Sequence, residues 1–252
     1  MTIGIMAALH DEIAGLIALI AGQPGSSVER VANRDFHIGQ IDGTPCVVVL
    51  AGVGKVAASC TATLLIQKFK VTEIIFSGLA GGLATHVKVG DIVIADQLMQ
   101  HDMDARPLFP RFEIPLTGIT HFETPKPHRK RVFESASAFL NGGFQTAIPV
   151  AIAEQYALHQ PRIHTGLIIS GDQFVGSVEA SDQLRQIAPS ALAVEMEGAA
   201  VAQVCHDFKL PYVIIRTVSD RADATAHIDF SQFLTDVASK YSAAILLDYV
   251  RH

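Results

Sequence analysis

The chain has 252 residues, with 19 Lys and Arg against 25 Asp and Glu, which gives a formal net charge of -6. Hydrophobic residues make up 49% and charged residues 17%, a composition that excludes an intrinsically disordered protein. The acidic balance gives no general electrostatic reason to bind nucleic acid or an anionic membrane. No stretch has the composition of a linker, so we expect one domain over residues 1–252.

Cysteine usage and the N-terminus indicate the compartment. Cys46, Cys60 and Cys205 are odd in number and lack CxxC spacing, which argues against a disulfide framework or a thiolate metal site. The N-terminus has no basic segment, and the apolar stretch 13–22 is far shorter than the ~20 residues of a membrane span. These features predict a cytoplasmic protein with no membrane partner.

Runs of consecutive apolar residues, mostly β-branched, predict strands that are buried on both faces. The predicted strands lie at 3–5, 47–50, 74–76, 92–94, 167–169 and 213–215, and helix-period segments lie at 11–21, 55–69, 129–140, 197–208 and 231–250. This alternation predicts an α/β fold with a largely parallel sheet that helices cover on both sides.

Ligands bind at the carboxyl ends of strands in such folds, and the segments after the predicted strands are rich in glycine and acids. They are 51–54, 77–82, Asp96, 170–172 and Ser219–Asp220. The segment 104–127 combines prolines with phenylalanines and has no regular period. We predict that it forms an irregular lid or interface loop.

Two motifs resemble known sites only superficially. The segment 52–57 resembles a dinucleotide fingerprint, but the acid Glu73 stands at the amino end of the next strand and P-loop spacing is missing. A tight turn is favoured there, with a backbone contact to a ligand as the alternative. The segment His101–Asp104 has metal-binding residue types without a partner at metal-ligand spacing, which favours loop hydrogen bonding.

Acidic residues follow three predicted strands or strand-to-helix junctions: Glu12, the pair Glu195 and Glu197, and Asp220. Each acid has a structural explanation when taken singly, because carboxylates interact favourably with helix N-termini and cap turns. Helix capping and turn capping alone do not require acids at three exits of one sheet. These acids therefore predict a functional cluster.

The order of motifs along the whole chain resembles the 5′-methylthioadenosine/S-adenosylhomocysteine nucleosidases of the nucleoside phosphorylase superfamily. The motifs are 1–12, 52–58, 81–83, 89–93, 170–174, Val-Glu-Met-Glu at 194–197 and Arg-Thr-Val-Ser-Asp at 216–220. The last two are specific to the superfamily, and Glu12 favours the nucleosidase branch. The resemblance implies a three-layer α/β/α sandwich with a mixed, partly barrel-like central sheet. It also implies a homodimer and a nucleoside substrate, with neither cofactor nor metal.

The resemblance also implies a role for each acid. Asp220, oriented by Ser219, would donate a proton to purine N7, and Glu197 would bind the ribose hydroxyls. Glu12 would activate water with the help of Arg216. Phe174 would stack on the base, although a phenylalanine in the core is the alternative. The remaining residues implied at the substrate are Val53, Leu79, Val175, Glu195, Met196 and Phe230.

The implied reaction is hydrolysis of the N-glycosidic bond of 5′-methylthioadenosine, S-adenosylhomocysteine or 5′-deoxyadenosine, with release of adenine. A phosphate-dependent purine nucleoside phosphorylase is the first alternative. The Gly-Asp-Pro-x-Arg segment of phosphorylases is missing, and Glu12 would repel phosphate. A futalosine-type nucleoside hydrolase is the second alternative. A weakly catalytic nucleoside-binding protein is the third, because Leu79 stands where the family commonly has Ser or Thr beside the water.

Overall fold

The computed structural model describes residues 1–222 and 230–252, apart from the side chains of residues 230 and 231. The strands in this part of the chain are β1 (Ile3–Ala7), β2 (Ser27–Val31), β3 (Arg34–Ile41), β4 (Thr44–Leu50), β5 (Glu73–Gly82), β6 (Ile92–Gln100), β7 (Phe122–Glu123), β8 (Ile163–Ser170), β9 (Ala191–Glu195) and β10 (Tyr212–Asp220). The helices are α1 (Ala14–Ala21), α2 (Lys55–Gln67), α3 (Lys126–Ala138), α4 (Phe144–Ala147), α5 (Val150–Gln155), α6 (Val178–Ile187), α7 (Gly198–Asp207), α8 (Phe230–Phe233) and α9 (Ser239–Arg251). None of these described helices is long and apolar enough to cross a membrane.

All six predicted strands and all five predicted helical segments are present, with altered ends. A 3-10 turn at His10–Glu12 precedes α1, and π turns at Phe139–Gly143 and Leu234–Ala238 lie between α3 and α4 and between α8 and α9. The apolar runs and helical periods of the sequence did not predict β2, β3, β7, β9 or the helices α4, α5 and α6. The hairpin strand β2 is exposed along most of its length, so it lacks the continuous apolar run that was used to find strands.

The sheet is mixed, and part of it closes into a barrel. Strands β10, β6, β8, β9 and β5 are paired in that order, and β5 pairs with β10 to complete the ring. The ring mixes both directions: β6 and β9 run against β10 and β5 respectively, whereas the pairs β6–β8, β8–β9 and β5–β10 are parallel. The resemblance therefore predicted the sheet correctly, whereas the largely parallel sheet expected from strand and helix alternation was wrong.

Alternating side chains of the central strands pack against helices on opposite faces. On β1, Ile3 and Ile5 join an apolar cluster with α1, α3 and α9, whereas Met6 joins a second cluster with α2 and α7. Period-two alternation sends neighbouring side chains to opposite faces of a strand, so a strand that is apolar throughout must be covered on both sides. This packing produces the three α/β/α layers.

A buried ionic network joins two helices to the amino end of the sheet. Glu73, at the start of β5 and 2% exposed, accepts hydrogen bonds from Arg131 and from His128 Nε2 at 2.9 Å, both on α3. The Arg131 guanidinium also lies 3.7 Å from the ring centroid of Tyr249 on α9. Burial by itself raises the pKa of Glu73, but the bonds from His128 and Arg131 bring that pKa below its ordinary value.

Replacing Arg131 by Met should lower the free energy of unfolding by about 3 kcal/mol, since it leaves the buried Glu73 carboxylate without its cation. Lys130→Met is the matched control on the same helix, because Lys130 pairs at 3.1 Å with an exposed Glu134. Urea unfolding should show a change below about 1 kcal/mol for that control. Equal effects of the two substitutions would contradict the importance of the buried network.

Candidate active site

A cavity of about 250 Å³ opens at the carboxyl edge of the sheet, and eleven of the twelve predicted site residues line it. They are Glu12, Val53, Leu79, Phe174, Val175, Glu195, Met196, Glu197, Arg216, Ser219 and Asp220. The twelfth, Phe230, begins α8, but its side chain lies outside the described residues. Phe174 is 52% exposed, which excludes the alternative of a core phenylalanine.

Glu12 reaches the cavity floor because the 3-10 turn after β1 folds its side chain back under the strand end. The Leu9 amide donates a hydrogen bond of 2.9 Å to Glu12 Oε2, and the residue is 2% exposed. Burial raises the pKa of Glu12 from 4.5 to about 7, although the Leu9 amide and the Arg216 charge act in the opposite direction. A carboxyl group with this pKa can exchange a proton near neutral pH.

Gly78 lets two charged groups approach strand β5. A Cβ atom at this position would lie 3.2 Å from Glu12 Oε1 and 3.3 Å from Arg216 Nη1. Both separations are tight, so a side chain here would push the carboxylate or the guanidinium away from the strand. The sequence indicated a glycine-rich strand end at this point but could not show which glycine makes the room.

Arg216 is a fixed cation in the middle of the site. Its strand β10 continues beyond the predicted end to Asp220, so Arg216 is a strand residue and is 1% exposed. Its Nη2 donates to Glu195 Oε2 at 2.7 Å, and its Nη1 donates to two backbone carbonyl oxygens at 3.0 and 3.1 Å. The guanidinium also lies 4.2 Å from the ring centroid of Phe76. These contacts define the position of the positive charge.

Glu195 lines the cavity as predicted, but four protein donors converge on its carboxylate. Besides Arg216, they are the Ser170 hydroxyl and the amides of Glu197 and Gly198. The two amides belong to the start of α7, where a carboxylate is favoured by the unpaired N–H groups and the helix dipole. Glu195 therefore holds Arg216 and the first turn of α7 in place.

Glu197 receives a hydrogen bond from the turn that resembled a dinucleotide motif. The Gly54 amide donates to Glu197 Oε1 at 2.8 Å. Gly52 and Gly54 have φ angles of +77° and +93°, a conformation that glycine adopts at little cost. Burial and the charge of Glu195 raise the pKa of Glu197 to about 7, against the opposing effects of the Gly54 amide and Arg216. The tight turn is confirmed, and its backbone contacts a carboxylate of the site.

Asp220 is directed into the cavity by an irregularity in strand pairing. The register between β5 and β10 shifts between Val218 and Asp220, which leaves Ser219 as the extra residue. Ser219 Oγ donates to Asp220 Oδ2 at 2.6 Å, and the Ala222 amide donates to Oδ1 at 2.7 Å. This geometry agrees with an orienting role for Ser219.

The segment His101–Asp104 forms loop hydrogen bonds, as predicted. Asp102 accepts from Lys55 Nζ at 2.6 Å and from the Asp172 amide at 2.9 Å, and Asp104 pairs with Arg106. Within residues 1–222 and 230–252, no three His, Cys, Asp or Glu side chains are grouped so that they could hold a metal ion.

Comparison with known proteins places this site in a family. The family model of the phosphorylase superfamily matches residues 2–251. A relative from Shewanella denitrificans, a 5′-methylthioadenosine/S-adenosylhomocysteine nucleosidase, is 36% identical over 248 residues, which are 98% of this chain and 97% of that protein. The chain belongs to this nucleosidase family.

Solved structures of family members and neighbours share the fold over the full chain. The nucleosidase from Streptococcus pneumoniae, bound to a transition-state inhibitor, has a TM-score of 0.83 and 32% identity, covering 100% of this chain and 99% of that one. A futalosine hydrolase from Helicobacter pylori has a TM-score of 0.83 and 31% identity, covering 99% and 97%. The cavity that the sequence motifs predicted therefore lies in a fold shared by two named kinds of nucleoside hydrolase.

The electrostatics of Glu12 predict a stability difference that changes with pH. Its folded pKa of about 7 lies above its ordinary 4.5, so the folded state keeps a proton that the unfolded chain has already lost. Stability is therefore lost as pH rises from 4.5 through about 7, and Glu12→Gln removes that loss. Relative to the parent chain, the substitution should stabilise the protein by about 2–3 kcal/mol more near pH 8 than near pH 5.

Urea unfolding at the two pH values measures this difference directly. Glu134→Gln, at an exposed position on α3, is the control and should show nearly the same effect at both. A Glu12→Gln effect that is independent of pH would contradict the raised pKa.

Proposed function

We propose that this protein hydrolyses the N-glycosidic bond of 5′-substituted adenosines, with 5′-methylthioadenosine and S-adenosylhomocysteine as substrates and adenine as product. The observation that carries the proposal is the meeting of Glu12, Glu197 and Asp220 in one cavity around the buried Arg216. Cleavage of an N-glycosidic bond needs a protonated leaving base, a stabilised sugar cation and a positioned nucleophile. Three separate carboxyl groups can provide these three functions.

Asp220 is the proton donor to purine N7 in this proposal. The bonds from Ser219 and the Ala222 amide fix the orientation of its carboxyl group. A carboxylate also favours adenine, because it accepts a hydrogen bond from the exocyclic amine. Phe174, at the mouth of the cavity, stacks on the base, and the backbone at Phe174 and Val175 hydrogen-bonds its edge.

Glu197 and Met196 bind the ribose. Glu197 Oε1 is engaged by Gly54, and the carboxylate accepts hydrogen bonds from ribose hydroxyls, which fixes the ring near a negative charge as the sugar becomes cationic. Met196 packs against the sugar, and the apolar side chains of Val53 and Leu79 surround it. Phe230 is proposed at the 5′ substituent.

Glu12 takes a proton from the attacking water while the water oxygen bonds to the anomeric carbon and Asp220 protonates the leaving base. The bond to purine N9 breaks, and the products are adenine and the free sugar. Arg216 donates hydrogen bonds through Nη1 to two backbone carbonyls and through Nη2 to Glu195. Its positive charge acts on Glu12 electrostatically, across a short distance. Leu79 offers no hydroxyl to the water, which leaves Glu12 as its main partner.

The direct test of the proposal is product analysis in phosphate-free, chelator-treated buffer with a panel of 5′-substituted adenosines and futalosine. Free adenine and free sugar are expected. A strict requirement for phosphate, with a sugar 1-phosphate as product, would establish a phosphorylase instead. Tight binding of methylthioadenosine in calorimetry without turnover would indicate a nucleoside-binding protein, and cleavage of futalosine alone would indicate the neighbouring hydrolase activity.

Replacing Asp220 by Asn should lower turnover of methylthioadenosine by ~10²–10⁴-fold, because general acid catalysis typically contributes that much. A nitrophenyl riboside should lose far less, since its leaving group departs without a proton. Asp42→Asn, at an exposed ion pair with Arg251, is the matched control and should leave both rates unchanged. Equal losses on both leaving groups in Asp220→Asn would refute the proton-donor role.

We also propose a cytoplasmic homodimer built from one domain over residues 1–252. The family match over residues 2–251 supports the single domain, and three free cysteines support a reducing compartment. The segment 104–127 contains Leu108 and Leu116, which are 82% and 89% exposed, and Val53 and Phe174 are exposed at the cavity mouth. In the dimer, this loop covers the partner's 5′ pocket.

Light scattering at micromolar concentration should give a mass of twice 27.0 kDa. Leu108→Asp with Leu116→Asp should shift the protein towards the monomer and raise KM, because the 5′ pocket loses its cover. Val150→Asp is the control, as it introduces an aspartate in place of an apolar residue that is 74% exposed in α5, outside the loop. Only a 27.0 kDa species in the parent protein would contradict the dimer.

A further inference from the structure

Lys55 belongs to a closed ring of hydrogen bonds beside the cavity. Its Nζ donates to Asp102 Oδ1 at 2.6 Å, and its amide donates to Asp172 Oδ1 at 2.7 Å. The Asp172 amide in turn donates to Asp102 Oδ2 at 2.9 Å, which closes the ring. The ring joins three segments that are far apart in sequence: the start of α2, the segment after β6 and the segment after β8.

The ring is tied to the core on one further side. Lys55 Nζ also donates to Gln100 Oε1 at 3.0 Å, and Gln100 Nε2 donates to Gln203 Oε1 on α7 at 2.7 Å. Only 15% of the Lys55 side chain is exposed. An exposed ion pair contributes little to stability. The ammonium group of Lys55 is mostly buried and has two acceptors, so its position is well defined.

Two contacts connect this ring to the proposed ribose site. The amide of Gly54, the residue before Lys55, donates a hydrogen bond to Glu197 Oε1 at 2.8 Å. A Cβ atom on Gly54 would lie 3.0 Å from Asp172 Oδ1. The turn therefore packs closely against the same aspartate that accepts a hydrogen bond from the Lys55 amide. The position of the Gly54 amide is therefore set by the ring.

We infer that Lys55 is a positioning residue, which acts through the ring with Asp102 and Asp172 to hold the Gly54 amide against the carboxylate of Glu197. Lys55 does not line the cavity, so its effect on the substrate is indirect. Nothing in the sequence assigned it this task, because the Gly-Lys pair lacks the spacing of a phosphate-binding loop.

The Glu197 carboxylate needs this amide because burial and two neighbouring carboxyl groups oppose its negative charge, with Arg216 as a nearby cation that favours it. Glu195 and Glu12 face Glu197 with like charge, while Arg216 faces it with opposite charge. Burial and Glu195 act to raise the pKa of Glu197, and the Gly54 amide acts to lower it. If the Gly54 amide moves away, the pKa of Glu197 rises, so its carboxyl group is protonated over a wider range of pH. The protonated group accepts hydrogen bonds less well than the carboxylate.

The first test measures the Glu197 carboxyl directly and is independent of any substrate. Selective ¹³C labelling of glutamate carboxyls allows titration by NMR, and the Glu197 signal is the one that is absent in Glu197→Gln. In Lys55→Met and in Asp102→Asn the apparent pKa of Glu197 should rise by about half a unit or more, because both substitutions break the ring.

The paired variants separate positioning from simple charge effects. Removing the positive charge of Lys55 raises a nearby carboxyl pKa by electrostatics alone, whereas removing the negative charge of Asp102 lowers it. A rise in both variants therefore supports positioning, and shifts of opposite sign overturn it. Lys68→Met is the matched control, because Lys68 ends the same helix and pairs with the remote Glu29 at 2.6 Å. It should leave the titration unchanged.

The second test rests on the proposed function and uses a double-mutant cycle on kcat/KM for methylthioadenosine. Lys55→Met should lower kcat/KM about 10-fold in the parent chain, the lower end of what a hydrogen bond to a charged group contributes. On the Glu197→Gln background the further loss should be below about 3-fold, since the two residues act as a unit. Equal losses on both backgrounds would overturn the proposal.

Failure of the proposed function has a different signature. If the parent protein releases no adenine, the titration still decides whether Lys55 positions Gly54 at Glu197. Thermal unfolding of Lys55→Met within a few degrees of the parent chain shows that the fold is intact, so that an altered titration reports the ring.

Discussion

The site depends on one buried cation placed among three buried carboxylates. Arg216 is 1% exposed and forms a 2.7 Å ion pair with Glu195, while Glu12 and Glu197 face the same positive charge without sharing that pair. Removing either partner of the ion pair would leave a buried charge uncompensated. The other two carboxyl groups, Glu12 and Glu197, are buried and accept hydrogen bonds from the Leu9 and Gly54 amides, and burial raises their pKa values to about 7.

Strand closure makes this arrangement possible. The side chains lie on or just after β1, β9 and β10. Strands β9 and β10 pair with β5 inside the ring and β1 pairs with β5 from outside it, so the three strands meet at one edge. The register shift at Ser219 turns Asp220 into the same cavity. Glycines complete the arrangement where backbone and charge must approach closely, as Gly78 does for Glu12 and Arg216. Glu195 and Asp220 lie on strands, which fix their carboxylates more precisely than loops could, whereas Glu12 and Glu197 are held by backbone amides.

Continuous apolar runs mark buried strands, which places Glu12 and Asp220 after the strands predicted at 3–5 and 213–215, whereas Glu195 and Glu197 were placed by the predicted start of a helix at 197 and by the Val-Glu-Met-Glu motif. Strand and helix patterns alone could not predict the closed sheet, which only the family resemblance implied, since the pairing of β9 with β5 joins residues far apart in the chain and leaves no local period. The exposed strand β2 has no continuous apolar run and was missed for that reason. The Gly54 amide and the Lys55 ring were equally invisible, because backbone donors and long-range polar contacts have no residue signature.

We propose Glu12 as a base whose pKa is raised by burial, so the pH dependence of kcat/KM for methylthioadenosine should report its ionisation. kcat/KM reports the ionisation of essential groups in the free enzyme. We expect kcat/KM to fall as pH drops through about 7, the value to which burial raises the pKa of Glu12 and of Glu197, and we expect Glu12→Gln to be slow at every pH. A profile that stays level down to the ordinary carboxyl value of 4.5, or full activity in Glu12→Gln, would contradict it.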